Sequence, residues 1–391
     1  MNLVQFPGLG LSFEIDRVAF TIGGVSIYWY GVCIAVGLCL ALVFAFRHSI
    51  EFGVDPDGMV DVILIGVVLG AAACVTLSRV PYRVFRRPKV TLLLLTASAL
   101  MLILVIIPGI GVSINGSRRW LNIFGLSMQP SEFAKYAMVV FMAGALDRRG
   151  EAIDRLFTGI IPLLVVPGVM FLLILEQPNL STGGSILICA LVMLFAAGIQ
   201  KRHMALLGAG GLVVGAFYAW SAPYRRERLL SFRDPFAKMS DEGYQLSQSL
   251  IALGSGGLFG VGLGQGTPEK IPAYYNDFIF AVVCEQLGQV FGVLLLAVYV
   301  LLILRGVTVV ARARRSFEML LGCGVLAMLG IQTFMIVAGV IKMIPLTGVT
   351  MPFLSYGGSS LLSCMAMIGI LHGASARAQE NLEEDILCVR G

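Results

Sequence analysis

The sequence predicts an all-α polytopic membrane protein with about ten transmembrane helices and a large outer loop at 221–277. Three observations carry this. Apolar residues make up 58% of the 391, only 13% are Asp, Glu, Lys or Arg, and apolar runs long enough to cross a bilayer recur along the chain. A soluble globule needs a hydrated surface and carries about 25% charged residues. A mean hydropathy of +0.89 therefore excludes a cytosolic enzyme, a disordered regulator and a secreted domain. A net charge of only +5, scattered over several loops, gives no nucleic-acid-binding patch.

In chain order the candidate spans are 26–46, 60–77, 90–107, 132–146, 156–175, 182–198, 205–220, 278–304, 317–341 and 359–374. Basic residues set their orientation, because Lys and Arg concentrate on the cytoplasmic side. Arg79, Arg83, Arg86, Arg87 and Lys89 fill one short loop. Arg148, Arg149 and Arg155, then Lys201 and Arg202, then Arg305, Arg312, Arg314 and Arg315 fill the others. These loops are separated by pairs of spans, so all are expected inside, with a cytoplasmic C-terminus. Loops 108–131, 176–181, 221–277 and 342–358 then face outward. Within the largest, Tyr244–Leu253 has helical apolar spacing and suits a membrane surface. The glycine-rich stretch Gly254–Gly266 reads as a tight re-entrant turn, since no strand precedes it and no Lys-Ser/Thr follows, as a P-loop would require. Seven of eight cysteines lie in apolar runs and the three histidines are far apart, which gives neither a disulfide framework nor a zinc site.

Polar groups beside lipid mark function by default, and they gather on the outer side. Arg118, Arg119 and Trp120 precede Glu132 and Lys135, which share a helical face at i,i+3. Gln177 and Asn179 end the fifth span. Arg225 and Arg228 open the large loop, Asp277 closes it, and Glu285 lies two turns further on. Lys342, Ser355 and Tyr356 sit in the last outer loop. Each also has a structural reading: a Glu132–Lys135 bridge, interfacial arginines, an aromatic anchor at Trp120, or Asp277 as a helix N-cap. Together they imply a shared outward cavity, where cations suit a diphosphate and a carboxylate suits a general base.

Ordered motifs then place the chain. Ile107-Pro108-Gly109-Ile110-Gly111, Asn115-Gly116-Ser117-Arg118-Arg119-Trp120-Leu121, Gln129-Pro130-Ser131-Glu132, Gly243-Tyr244-Gln245, Gly254–Gly260, Asn276-Asp277-Phe278-Ile279-Phe280-Ala281 and Pro352–Ser360 resemble the SEDS family (shape, elongation, division and sporulation; FtsW, RodA, SpoVE) from about Val75 to about Gly373. The resemblance implies a ten-span peptidoglycan glycosyltransferase that polymerises lipid II on the outer face of the bacterial cytoplasmic membrane. It maps the essential aspartate onto Asp277 and the Arg-Arg-Trp loop onto Arg118, Arg119 and Trp120. It also implies a class B penicillin-binding protein as transpeptidase partner, alongside other cell-wall complex proteins. A divalent cation, Mg or Mn, could share the diphosphate, but no sequence signature requires one.

Three stretches depart from the family pattern. Asn179 stands where the family has Asp, Gln286 replaces the second glutamate of a Glu-Glu pair, and Ile341-Lys342-Met343-Ile344-Pro345 replaces an apolar, Gly-containing run. The N-terminal stretches Ala19–Gly31 and Gly53–Asp57 resemble instead the start of prolipoprotein diacylglyceryl transferase, without that enzyme's later signatures. The expected organisation is therefore an atypical segment 1–74, a polymerase membrane domain 75–377 and a cytoplasmic tail 378–391. A lipid II transporter or a weakly active cell-wall scaffold are the alternatives. A transporter would need polar groups through the whole bilayer depth rather than on one side.

Overall fold

The computed structural model describes the strands within residues 2–28 and residues 62–114, 117–123, 126–150, 153, 155–220, 226, 232–238, 243–313 and 315–373. It divides into two units, Met1–Val60 and Asp61–Gly391.

The first unit contains two antiparallel hairpins. Strand β1 (Asn2–Phe6) pairs with β2 (Leu11–Ile15), and β3 (Val18–Ile22) pairs with β4 (Val25–Tyr28). Two residues, Gly23-Gly24, separate the last two strands, a pair suited to a tight hairpin. The sequence reading put the first candidate span at 26–46. Ser26–Tyr28 are instead extended, in a Val-Ser-Ile-Tyr segment of good strand formers. The rest of that span lies outside the described residues.

In the second unit helices occupy every other candidate span. They are α1 (Val62–Leu69, wound as a π-helix, continuing as Gly70–Arg79), α2 (Tyr82–Phe85), α3 (Pro88–Ile106), α4 (Pro130–Arg149), α5 (Leu156–Leu175), α6 (Leu180–Ala196), α7 (Lys201–Trp220), α8 (Tyr244–Ser255), α9 (Ile279–Val310), α10 (Ser316–Val340) and α11 (Gly358–Gly373). Among these α3, α5, α9 and α10 are long and apolar enough to cross a membrane by length and composition. Both α3 and α4 open with proline at the first helical position, where its missing N–H costs nothing. The boundary expected at residue 74 falls inside α1, and the compact unit begins at Asp61.

The core is centred on α4, whose side chains from Ala134 to Leu146 are mostly buried against α6 and α10. Helix α1 packs on α11 through glycines. A Cβ at Gly369 would lie 2.3 Å from Cys74 O, and one at Gly373 would lie 2.4 Å from Ser78 O. Such close backbone approach is how helices associate where lipid removes the hydrophobic drive. Arg86 pairs with Asp147 at 2.9 Å, which puts the loops after α1 and α4 at one end. The loop after α3 bonds to the turn after α5, and the loop after α10 bonds to the segment before α9.

One loop is not irregular. Residues 108–131 contain a three-stranded antiparallel sheet, β5 (Gly111–Ile114), β6 (Ser117–Ile123) and β7 (Leu126–Met128). The Asn115-Gly116 pair between β5 and β6 is the signal from which that hairpin could have been read.

Candidate active site

The sheet places the arginine motif. Val112 faces Trp120 and Ser113 faces Arg118, so Arg119 is the extra residue of a bulge in β6. Bulges re-aim side chains. Here Arg119 Nε donates to Gln177 O (3.1 Å) and Nη2 donates to Pro178 O, tying β6 to the turn between α5 and α6. Arg118 remains exposed and Trp120 half-buried. Arg225 and Arg228 lie outside the described residues.

Under this turn the polar side chains are buried. Gln177 Nε2 donates to Leu102 O at 3.1 Å. Asn179 is the N-cap of α6, its Oδ1 accepting from Thr182 N at 3.2 Å. Asn caps about as well as Asp, so the departure at Asn179 keeps the cap while avoiding a carboxylate that is 3% exposed. Glu132 and Lys135 form a buried ion pair at 2.9 Å. The carboxylate also lies in the first turn of α4, where the helix dipole favours it.

These groups share one depth. Gly324 of α10 sits against Val139 of α4 and Met193 of α6, and its carbonyl accepts from Cys189 Sγ. From Val139, Cys189 and Gly324, moving about 10–12 Å toward the loops at 1.5 Å per residue reaches Glu132, Thr182 and Gln332 on the three helices. In this layer Ser131 Oγ, Glu132 Oε2, Gln177 Oε1, Asn179 Nδ2 and both amide atoms of Gln332 have no hydrogen-bond partner among the described residues. Gln332 was not singled out from the sequence, because a lone Gln in an apolar run gives no spacing signal.

The loop after α10 holds the segment before α9. Ser355 Oγ donates to Asn276 O (2.8 Å) and accepts from Met351 N (2.7 Å). Tyr356 N donates to Tyr275 O (2.9 Å), and the two rings meet edge to face with centroids 5.3 Å apart. Tyr299 of α9 donates to Pro352 O. Asp277 is half-buried, and a Cβ on Gly348 would lie 3.6 Å from its Oδ2. Phe278, not Asp277, occupies the N-cap position of α9, with no side-chain cap bond, so Asp277 stands one residue outside the helix. Burial, with Tyr275 and Glu269 adding to it, pushes the Tyr274 phenol up, so it remains a donor at neutral pH. Ala273 and Phe353 are both left-handed (φ 58° and 63°), a strained conformation for such residues that clusters at functional sites.

Lys342 follows α10, also left-handed at φ 60°. Its N–H donates to Gly339 O and that of Met343 to Ala338 O, a Schellman closure with lysine where glycine is usual.

Glu285 lies apart from this group. Helix α9 breaks at Gly288 (φ 90°, ψ 165°). The glycine-rich stretch bonds into the break: Val261 N to Glu285 O, Gly262 N to Gln286 O, Gln289 N to Gly257 O and Val290 N to Leu258 O, at 2.9–3.2 Å. Glycine is required there. A Cβ at Gly256 would lie 2.1 Å from Cys284 O, and one at Gly260 would lie 2.2 Å from Gln286 O. Among the described residues no group of three or more His, Cys, Asp or Glu is placed to hold a metal ion.

A bundle of apolar helices, capped at one end by ordered loops that gather Arg, Asp, Tyr and Ser, defines a multi-pass membrane protein with a polar site at one end. The chain belongs to the FtsW/RodA/SpoVE family of cell cycle proteins, whose model matches residues 27–380. That match begins well before Val75, so residues 27–74 fall within it. The chain is 36% identical over 374 residues to a probable peptidoglycan glycosyltransferase FtsW of Geobacter sulfurreducens, covering 94% of this chain and 98% of the relative. It is 39% identical over 285 residues to stage V sporulation protein E of Bacillus subtilis, covering 72% and 78%. A chain solved in a peptidoglycan synthase complex, described as coordinating polymerization and crosslinking, superposes with a TM-score of 0.67 at 26% identity, covering 88% of this chain and 97% of that one. The rod shape determining protein RodA of Thermus thermophilus superposes with a TM-score of 0.59 at 28% identity, covering 89% and 97%.

Proposed function

We propose that this protein is a peptidoglycan glycosyltransferase, polymerising lipid II into β-1,4-linked glycan on the outer face of the cytoplasmic membrane, with Asp277 as general base. The observation that carries the assignment is the convergence of loops on Asp277. Ser355 and Tyr356 bond to the two residues before it, Gly348 lies close to its Oδ2, and the half-buried carboxylate stands one residue outside α9. The carboxylate takes the proton of the acceptor GlcNAc 4-hydroxyl. That oxygen attacks C1 of the donor MurNAc, the bond from C1 to the diphosphate breaks with inversion, and undecaprenyl diphosphate leaves. Exposed Arg118, with Arg225, Arg228 and Lys342, stabilises the departing charge, and Trp120 packs beside it. Arg119, Glu132, Lys135, Gln177 and Asn179 shape the floor of the site. A class B penicillin-binding protein crosslinks the product, and the basic loops and C-terminal tail face the cytoplasm.

The transporter alternative needs polar groups through the full depth. Below the polar layer the interior is apolar, filled by Met138, Val139, Met142, Leu146, Met193 and Met328, which favours the enzyme. Polymerisation of labelled lipid II by the purified protein with its partner tests the assignment, with flipping assayed in parallel. Asp277→Asn should leave thermal stability near wild type while glycan synthesis falls at least ~10²-fold. An Asp277→Asn protein that still makes long strands would remove Asp277 from the chemistry.

A further inference from the structure

A cavity of about 220 Å³ lies beside the break in α9, between α8 and the glycine-rich stretch. Its charged wall is Glu285, whose side chain is 4% exposed. Oε1 accepts from Thr267 N at 3.1 Å, while Oε2 has no hydrogen-bond partner among the described residues. A Cβ at Gly266 would lie 2.8 Å from that oxygen, so any larger residue would crowd it. Gln248, Gln265 and Ser255 add amide and hydroxyl groups, and Ile251 and Val261 add apolar wall. Gln265 and Thr267 are exposed, so the cavity opens to the surface.

The chemistry of this wall selects its ligand. A desolvated carboxylate oxygen calls for a cationic donor. Among the described lining residues there is no lysine or arginine to supply one. A divalent metal would want several carboxylate or carbonyl oxygens, whereas one carboxylate flanked by amides and methyl groups suits an N–H cation on a short carbon stem. We propose that this cavity binds a primary ammonium group, with Glu285 Oε2 as its counter-ion and acceptor and the Gln248 and Gln265 side-chain carbonyls as further acceptors. Two sources carry that group, a phosphatidylethanolamine headgroup and a free soluble amine. The exposed apolar residues Leu258, Phe259 and Leu263 alongside put the opening in reach of lipid.

The test uses the purified full chain and its thermal midpoint, which a ligand of the folded state raises. One arm adds ethanolamine or choline in detergent. The other embeds the protein in phosphatidylglycerol mixed with either phosphatidylethanolamine or phosphatidylcholine. The primary amine should raise the midpoint and the quaternary one, which has no N–H, should not. Glu285→Gln should weaken the apparent affinity at least about tenfold, as for loss of a charge-assisted bond in a desolvated site. Gly266→Ala, which covers Oε2 while keeping every charge, should do the same should Glu285→Gln fail to fold. A response to both amine arms assigns the site to the lipid headgroup, and a response to ethanolamine alone assigns it to a soluble amine. Equal responses to choline and ethanolamine, equal responses of wild type and both variants, or no wild-type response in either arm overturns the proposal.

Discussion

Two helices of this protein begin with carboxylates and treat them in opposite ways. At the start of α4, Glu132 is sealed in the core and neutralised by Lys135 one turn later. At the start of α9, Asp277 stands outside the helix, half-buried, among residues delivered by loops distant in sequence. A buried charge is costly unless paired nearby, so the first carboxylate serves the fold. Around the second, Ser355 and Tyr356 bond to the backbone carbonyls of its neighbours Asn276 and Tyr275, across 79 and 81 residues of sequence. Burial alone therefore does not separate the two carboxylates; the elements that surround each of them do.

The strongest challenge to that contrast is Lys135→Met. It leaves Glu132 buried without its counter-charge and should cost ~3–5 kcal/mol, read as a lowered thermal midpoint or loss of folded protein. The Glu132→Gln/Lys135→Met double variant should recover most of this. A Lys135→Met protein as stable as wild type would mean that the pair is not structural, and the comparison with Asp277 would fail. A second experiment probes the support of α9. Gly260→Ala forces a left-handed alanine against Gln286 O, costing about 1–2 kcal/mol from the backbone alone. Gly254→Ala, with open space at its Cβ inside α8, should be neutral or stabilising by about 0.5–1 kcal/mol. Equal effects at the two glycines would show that the stretch does not brace the break. The smallest effect concerns Lys342. Replacing this left-handed residue with glycine should raise stability by about 1 kcal/mol, and a fall in midpoint would mean that its side chain supports the end of α10.

What was legible in the sequence was local. Apolar runs gave the long helices of the second unit, helical spacing gave α8, and i,i+3 spacing gave the Glu132–Lys135 pair, whereas α2 sits in a stretch read as a basic loop. The segment that carries Asp277 stood out because its motif is contiguous. The partners of α9 were not: Gly256 and Gly260 meet Cys284 and Gln286, and Ser355 meets Asn276, across 26 or more residues with no periodic signal. The β5–β7 sheet was missed for another reason. Its Asn115-Gly116 signal lay inside a motif read for chemistry rather than for a turn. Asn179 seemed to lose a charge, and only the geometry of the α6 cap explains why an amide serves there.

The break in α9 also bears on how the chain enters its membrane. Helix α9 cannot be inserted as a self-sufficient rod, because Glu285 O, Gln286 O, Gln289 N and Val290 N rely on residues 257–262 for their bonds. Each such group left bare in hydrocarbon costs several kcal/mol. Synthesis delivers 257–262 before α9, so the complementary strip has already been made when the helix leaves the translocon. Vectorial translation thus supplies the patch ahead of the defect, and a circular permutant that reversed this order should stall during biogenesis even though every residue is present.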